Sequence, residues 1–450
     1  MKDKDAAQKR MEERNRRIRE RALAQEEHGY SEKTHLIHGR FQNTLWDYSH
    51  HVVPPLSSSV TYRLDTSVRG AKGFAQFGHE PDNESPIYIY DRLDEPTRGM
   101  LEQNLAYAES GEAAVCFSSG MAAISAAIGV CAKAGERVLA HHVLYGCTFS
   151  LLKNWLPRFG IQANGIDLTS KEDFLKNVSA EVRVVYFETP VNPNLDLVDL
   201  QAVVEMVSEI NESREAEEKI RIIVDNTFST PYCQRPLEFG VDMVVGSLTK
   251  NIGGFGTDLG GYVACSKELR PALLGYRKDF GGVLSPKSAW PVLVYGLPTL
   301  SVRVRQQQQT ADRVARYLED KKCVKEVRYP GLESFPQHEL AKRQMLDYEG
   351  LFAPGTLVYF SLDNDPKGEL GGKLIDYIAE NAYSITMAVS LGQVKTLIEH
   401  PYSMTHSSMA CEKSAQHLVD PGGIRLSFGL EKGEDIIYDL EEAFQAVGLE

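Results

Sequence analysis

Five places in this chain of 450 residues set a polar or charged side chain at the end of an apolar run or inside one. Lys250 stands in Gly246-Ser247-Leu248-Thr249-Lys250-Asn251, after the apolar run 243–245 and just before Gly253-Gly254-Phe255-Gly256. Most lysines are solvated. One held among small hydroxyls at a strand end can lose its proton and attack a carbonyl to form a Schiff base, while Ser247 and Thr249 offer hydroxyls to a phosphate. Asp225 ends the run 220–224. A carboxylate there is costly unless a cation meets it; a charged ring nitrogen is one partner, and a capped turn is the other reading. Phe117-Ser118-Ser119-Gly120-Met121 opens an apolar helix, whose first amides and dipole favour an anion; the same text also makes a serine-capped turn, and it lacks the GK[ST] of a P-loop. Tyr145, in Leu144-Tyr145-Gly146-Cys147, is either a ring-stacking or a packing tyrosine. Arg425 lies inside the apolar run 423–428, where it needs an anion, either a bidentate carboxylate from a ligand or an internal ion pair.

A Schiff-base lysine, an acid for a ring nitrogen, a phosphate cup, a stacking ring and a carboxylate-binding arginine are together the needs of pyridoxal 5′-phosphate. That cofactor is an electron sink that depends on the protein for orientation and electrostatics. A dinucleotide is not expected, because no GxGxxG follows a strand. The elements that must position these residues are read from periodicity. Short apolar runs at 114–117, 137–140, 182–187, 220–224, 243–245 and 261–264 are separated mostly by helix-length segments such as 120–134 and 197–210. Such alternation predicts a mainly parallel sheet covered by helices, with ligands beyond the carboxyl ends of the strands. A long helical stretch, 288–320, leads to strand-like runs at 357–362 and 423–428 and helices at 371–381 and 434–446. The organisation expected is a charged segment and extended arm over 1–94, a large cofactor-binding α/β domain over 95–300 and a smaller α+β domain over 301–450. Residues 66–86, rich in Gly, Asp, Asn and Pro, are expected to be a loop, 2–27 a solvated helix or frayed arm, and 211–219 a surface insertion.

Charge narrows the partners. Lys plus Arg is 49 and Asp plus Glu is 62, a net charge of 49 − 62 = −13, which disfavours nucleic acid or an anionic membrane as the main partner. No run approaches the ~20 apolar residues of a membrane span, and the charged start lacks the apolar stretch of a secretory signal. Seven scattered cysteines without a CxxC suit a reduced, cytoplasmic enzyme, with neither a disulfide framework nor a metal site expected.

These motifs, in this order, resemble the Cys/Met-metabolism (transsulfuration) family of pyridoxal-phosphate enzymes. The likeness runs from about Val52 to Leu449 and rests jointly on Tyr90-Asp91-Arg92, Ser119-Gly120-Met121, Leu144-Tyr145-Gly146, Glu188-Thr189-Pro190-Val191-Asn192-Pro193, Val224-Asp225-Asn226-Thr227, Ser247-Leu248-Thr249-Lys250, Ser403-Met404-Thr405-His406 and Arg425-Leu426-Ser427. The resemblance implies an aminotransferase-like subunit of PLP fold type I and a homotetramer built as a dimer of dimers. It implies Lys250 as the Schiff-base lysine and proton carrier, and Asp225 as partner of the pyridinium nitrogen. Gly120 and Met121 amides, behind Ser119, would hold the phosphate with Ser247 and Thr249, and Tyr90 and Arg92 would reach the phosphate of a neighbouring subunit. Tyr145 would stack on the ring and serve as general acid, Asn192 would lie near the 3′ oxygen, and Ser390 and Arg425 would bind the substrate's α-carboxylate.

Within the family, members that handle cystathionine tend to carry Glu just before the Ser-Leu-Gly motif; here Val389 precedes Ser390 and suits an uncharged thioether tail. Cys147 after Tyr145-Gly146 is similar to methionine γ-lyases, as a catalytic residue or as a small buried one. The expected activity is therefore γ-elimination of L-methionine to 2-oxobutanoate, ammonia and methanethiol. The alternatives are an O-acylhomoserine sulfhydrylase, a cystathionine γ-synthase or γ-lyase type, or a silent cofactor-binding subunit, the last opposed by the intact Lys250. Two segments depart from the family pattern: Asp91-Arg92-Leu93-Asp94-Glu95-Pro96-Thr97 adds negative charge close to a phosphate, and Gly254-Phe255-Gly256-Thr257-Asp258 is similar to some sulfhydrylases.

Overall fold

The computed structural model describes residues 30–38, 51–78, 87–410 and 418–449; the charged segment 2–27 lies outside them. Seven strands form the first sheet: β1 (Ala113–Phe117), β2 (Arg137–His141), β3 (Gln162–Ile166), β4 (Val182–Glu188), β5 (Arg221–Asp225), β6 (Met243–Ser247) and β7 (Gly261–Cys265), in the order β1-β7-β6-β5-β4-β2-β3. β7 runs antiparallel to β1 and β6, and the other pairs are parallel. The apolar runs are continuous because both faces are covered. Cys116, Val185, Phe187 and Val224 point into one layer of the core, whereas Val115, Val184, Tyr186 and Ile223 point into the other, the period of two that a strand imposes.

Five further strands, β8 (Val324–Arg328), β9 (Leu357–Leu362), β10 (Ile385–Met387), β11 (Thr396–Glu399) and β12 (Gly423–Ser427), make a second sheet in the order β10-β11-β12-β9-β8. Leu374 and Ile378 from the helix Glu369–Asn381, with Ile436 and Leu440 from Gly433–Ala446, bury its inner face. The α/β architecture with a smaller second sheet is the one expected.

The long helical stretch is realised as Pro286–Pro291, a π-helical turn Val292–Gly296 and a helix Leu297–Glu319. That last helix serves both cores: Leu297, Leu300 and Val304 lie in the first and Val314 and Leu318 in the second. The expectation of a loop over 66–86 is corrected for its first half, because Ser67–Gln76 is helical; residues 79–86 lie outside the described residues. The Thr66 hydroxyl caps it by accepting from the Arg69 amide at 3.1 Å. Its glycines are there for packing rather than for turning: a Cβ on Gly73 would lie 2.9 Å from the side chains of Ile87 and Ile89. Among the described residues no helix is long and apolar enough to cross a membrane.

Candidate active site

The carboxyl ends of β4, β5 and β6 bring the polar residues together. Beyond β6 the chain turns through a π-helical Leu248–Ile252, whose helical path breaks at Lys250 (φ −92°, ψ −141°). Arg303, buried in the long helix, holds this turn by donating to the carbonyls of Asn251 (2.7 Å), Ile252 (3.2 Å) and Gly296 (2.9 Å). Gly296 permits the approach, since a Cβ there would stand 2.5 Å from the Ile252 carbonyl oxygen. Lys250 then reaches across to the second sheet, and its Nζ donates to Ser390 Oγ at 2.8 Å. Ser390 carries φ +140°, a conformation L-residues adopt only when their surroundings enforce it. Burial, and then the Arg425 charge, bring the Lys250 amine down to about 8.

Asp225 ends β5 opposite Glu188 of β4. Its described partners are the Thr227 amide at 2.9 Å and the Tyr186 hydroxyl at 3.4 Å, not a cation. Burial raises its proton affinity, and it raises that of Glu188 further, with the Asp225 charge adding to the effect. A buried acid, Glu188, beside a half-buried one, Asp225, makes a site that a ring N–H⁺ would complement. Glu188 Oε1 also accepts the Tyr145 amide at 2.7 Å, so the acid pair anchors the turn that carries the aromatic ring. Burial raises the Tyr145 phenol, with Cys147 adding to it; the phenol therefore keeps its proton at neutral pH. Cys147 Sγ donates to Tyr145 Oη at 3.4 Å.

The phosphate cup is built by close backbone approach. Ser119 caps the helix Gly120–Gly129, its Oγ accepting from the Ala122 amide at 3.1 Å, and the Gly120 and Met121 amides have no partner within the helix. A Cβ on Gly120 would meet Ser247 Cβ at 3.1 Å, and one on Gly261 would lie 2.2 Å from the Ser119 carbonyl oxygen. The Thr249 hydroxyl is already held by Gly260, donating to its carbonyl (3.3 Å) and accepting from its amide (3.1 Å). The acid pair that meets no cation and the helix-start amides that meet no acceptor among the described residues, with the lowered lysine, together fit pyridoxal phosphate.

Arg425 of β12 is 2% exposed. Nη1 donates to Asn192 Oδ1 at 2.7 Å and Nη2 to the Ser390 carbonyl at 3.1 Å, while Glu399 Oε1 lies 2.9 Å from Nη2. The internal ion pair, one of the two sequence readings, is thus present. Asn192 spends its side-chain oxygen on Arg425, and its carbonyl meets His406 Nε2 at 3.1 Å. Tyr90 and Arg92 stand apart: Arg92 donates to the Lys278 carbonyl at 2.7 Å and lies over the Tyr90 ring, and no described contact joins either to Lys250, Asp225 or Arg425. The extra acids after Tyr90 are used locally. Asp91 pairs with Arg98 at 2.8 Å, and Glu95 caps the helix Pro96–Ala108 by accepting from the Thr97 amide at 2.8 Å.

Sequence reasoning assigned no role to Glu188, although its motif was in view, and missed Arg303 and Glu399. Glu399 could be found only from the strand register that sets it opposite Arg425. A separate cluster, His141, His142 and Asp167, brings three possible ligand atoms within 4.8 Å of one another, but His141 Nδ1 already accepts the Leu168 amide at 3.3 Å.

Against known proteins, the profile of a family described as "Cys/Met metabolism PLP-dependent enzyme" matches residues 33–445. An L-methionine γ-lyase of Porphyromonas gingivalis is 39% identical over 397 residues, 87% of this chain and 92% of the relative. A cystathionine γ-lyase of Bacillus subtilis is 35% identical over 361 residues, 80% of this chain and 89% of the relative. The solved cystathionine γ-synthase of Xanthomonas oryzae pv. oryzae, in complex with aminoacrylate and cysteine, superposes with a TM-score of 0.79 at 30% identity, covering 93% of this chain and 99% of that one.

Proposed function

The chain belongs to the Cys/Met metabolism PLP-dependent enzymes, and from that premise we propose that it eliminates the γ-substituent of L-methionine, releasing methanethiol, 2-oxobutanoate and ammonia. Pyridoxal 5′-phosphate is its cofactor and carbon–sulfur cleavage its reaction class. The observation that carries the proposal is the reach of Lys250 from the turn after β6 to Ser390 between β10 and β11, 2.8 Å away and beside Arg425. An amine able to shuttle protons thereby stands next to an arginine able to fix a carboxylate.

When bound, the cofactor draws electrons from the carbon that bears the substrate's amino group. Lys250 is the amine that would hold its aldehyde, and Nζ would also serve as base for the substrate's α-proton. Asp225 would supply the negative charge for its ring nitrogen. The Gly120 and Met121 amides with the Ser247 hydroxyl would hold its phosphate, and Thr249 would join them by turning its O–H from the Gly260 carbonyl. Arg425 and Ser390 orient the α-carboxylate, and Asn192 serves the ring's 3′ oxygen through its amide nitrogen. Tyr145 gives its phenolic proton to the departing sulfur, with the Cys147 thiol holding the phenol oxygen. Val389, 55% exposed beside Ser390, offers an apolar wall to a thioether.

Tyr90 and Arg92 act on the phosphate of a second copy, in a homotetramer of two dimers. The apolar side chains left exposed on the arm, Val52, Val53, Leu56 and Val60, support such docking. The site of action is the cytoplasm.

A γ-replacement enzyme is the second reading, favoured by the likeness to the γ-synthase fold at 30% identity. The two separate in one assay. L-Methionine alone is expected to yield 2-oxobutanoate, whereas O-acetylhomoserine with sulfide is expected to give no homocysteine; the reverse outcome would establish the replacement enzyme.

The lysine's low proton affinity has its own consequence. An amine at about 8 gains roughly tenfold in its neutral fraction between pH 7 and pH 9. Reconstitution of cofactor-free protein with pyridoxal phosphate, followed by visible absorption, is expected to quicken by that factor and then level off. An ordinary surface amine would continue to quicken beyond pH 9.

A further inference from the structure

Glu399 is 1% exposed and has no part in the reaction above. The antiparallel register of β11 and β12 places it directly across from Arg425. Its Oε1 lies 2.9 Å from Arg425 Nη2 and accepts the Thr405 hydroxyl at 2.9 Å. Its Oε2 is buried without a hydrogen-bond partner among the described residues.

A guanidinium presents five N–H donors in a planar fork, and a carboxylate is held best by two neighbouring ones. Both two-donor edges, Nε with Nη2 and Nη1 with Nη2, include Nη2. That nitrogen already faces Glu399 and the Ser390 carbonyl, Nη1 is bound to Asn192, and Nε has no partner among the described residues. A second carboxylate arriving at Arg425 therefore meets a resident one at the shared nitrogen, and it also meets that residue's negative charge in a buried setting.

We infer that Glu399 is a positioning residue that competes with the substrate's α-carboxylate for Arg425 and so sets substrate affinity low. This rests on the proposed role of Arg425. The carboxylate holds the guanidinium in plane when no substrate is present, and it is displaced or shares Nη2 when substrate binds. Glu399→Gln retains the shape and an oxygen for Nη2 while removing the charge.

The test uses holoenzyme and two probes titrated by calorimetry: 3-(methylthio)propionate, which has the carboxylate and no amine, and 3-(methylthio)propylamine, which has the amine and no carboxylate. Glu399→Gln is expected to tighten the propionate about tenfold and to leave the amine unchanged. Unchanged or weaker propionate binding, or an equal change in both probes, overturns the inference. Arg425→Ala separates the two readings. Loss of propionate binding upholds Arg425, so that failure in Glu399→Gln then falls on Glu399 alone; propionate binding unaffected by Arg425→Ala removes the Arg425 reading itself. If Glu399→Gln does not fold, Glu399→Asp, which draws the charge back by one methylene, must show the same selective tightening at smaller amplitude, and its absence overturns the inference equally.

Discussion

Lys250→Ala is expected to yield a folded protein without the visible absorption of a lysine-held cofactor and with lyase turnover reduced by more than about 10³-fold. The size follows from two losses at one atom. In the proposed roles Nζ is both the point of covalent attachment and the base for the α-proton, and its described neighbours offer no second amine: Ser390 is a hydroxyl, and Arg425 carries a guanidinium. Borohydride reduction of the wild-type holoenzyme followed by peptide mapping is expected to place the pyridoxyl group on the peptide containing Lys250. A label on another lysine, or a visible band that survives in Lys250→Ala, would contradict the assignment.

Asp225→Asn is expected to act in opposite directions on activity and stability. Turnover is expected to fall by about 10²-fold or more, because in the proposed role Asp225 is the charge that keeps the ring nitrogen protonated. The cofactor-free protein gains stability. Burial raises the proton affinity of Asp225 and, with the Asp225 charge adding to it, of Glu188. An acid whose folded value lies above its unfolded value favours the folded state below the unfolded carboxylate range, and that advantage is lost as pH climbs through it towards the folded value. The substitution removes one of the two charges. Thermal unfolding of cofactor-free protein at neutral pH is therefore expected to shift upward in Asp225→Asn, and the gap is expected to close in acid. A variant equally unstable at both pH values would show that the pair is satisfied by something other than the cofactor.

Most of the first sheet was legible because both faces of its inner strands are buried and their text is rich in Val, Ile, Ala and other apolar residues. β3 was not, because Gln162–Ile166 is an edge strand whose side chains are mostly open to solvent, and an exposed strand leaves no apolar signature. Lys250, Asp225 and Arg425 stood out as charges terminating or interrupting apolar runs. The Ser67–Gln76 helix was hidden because its glycines, Gly70 against Leu64 and Gly73 against Ile87 and Ile89, carry the same letters as a turn. Glu399 and Arg303 were hidden for a related reason. Each acquires its meaning from a partner brought to it only by strand register or by the packing of a distant helix, and neither of these leaves a local pattern.

The helix Leu297–Glu319 contributes side chains to both cores and, through Arg303 in its second turn, props up the lysine turn. It is a shared strut: whatever loosens its packing in one core is transmitted along the same helix to the other and to the carbonyl of Asn251, so heat or denaturant is expected to release both cores as a single cooperative event.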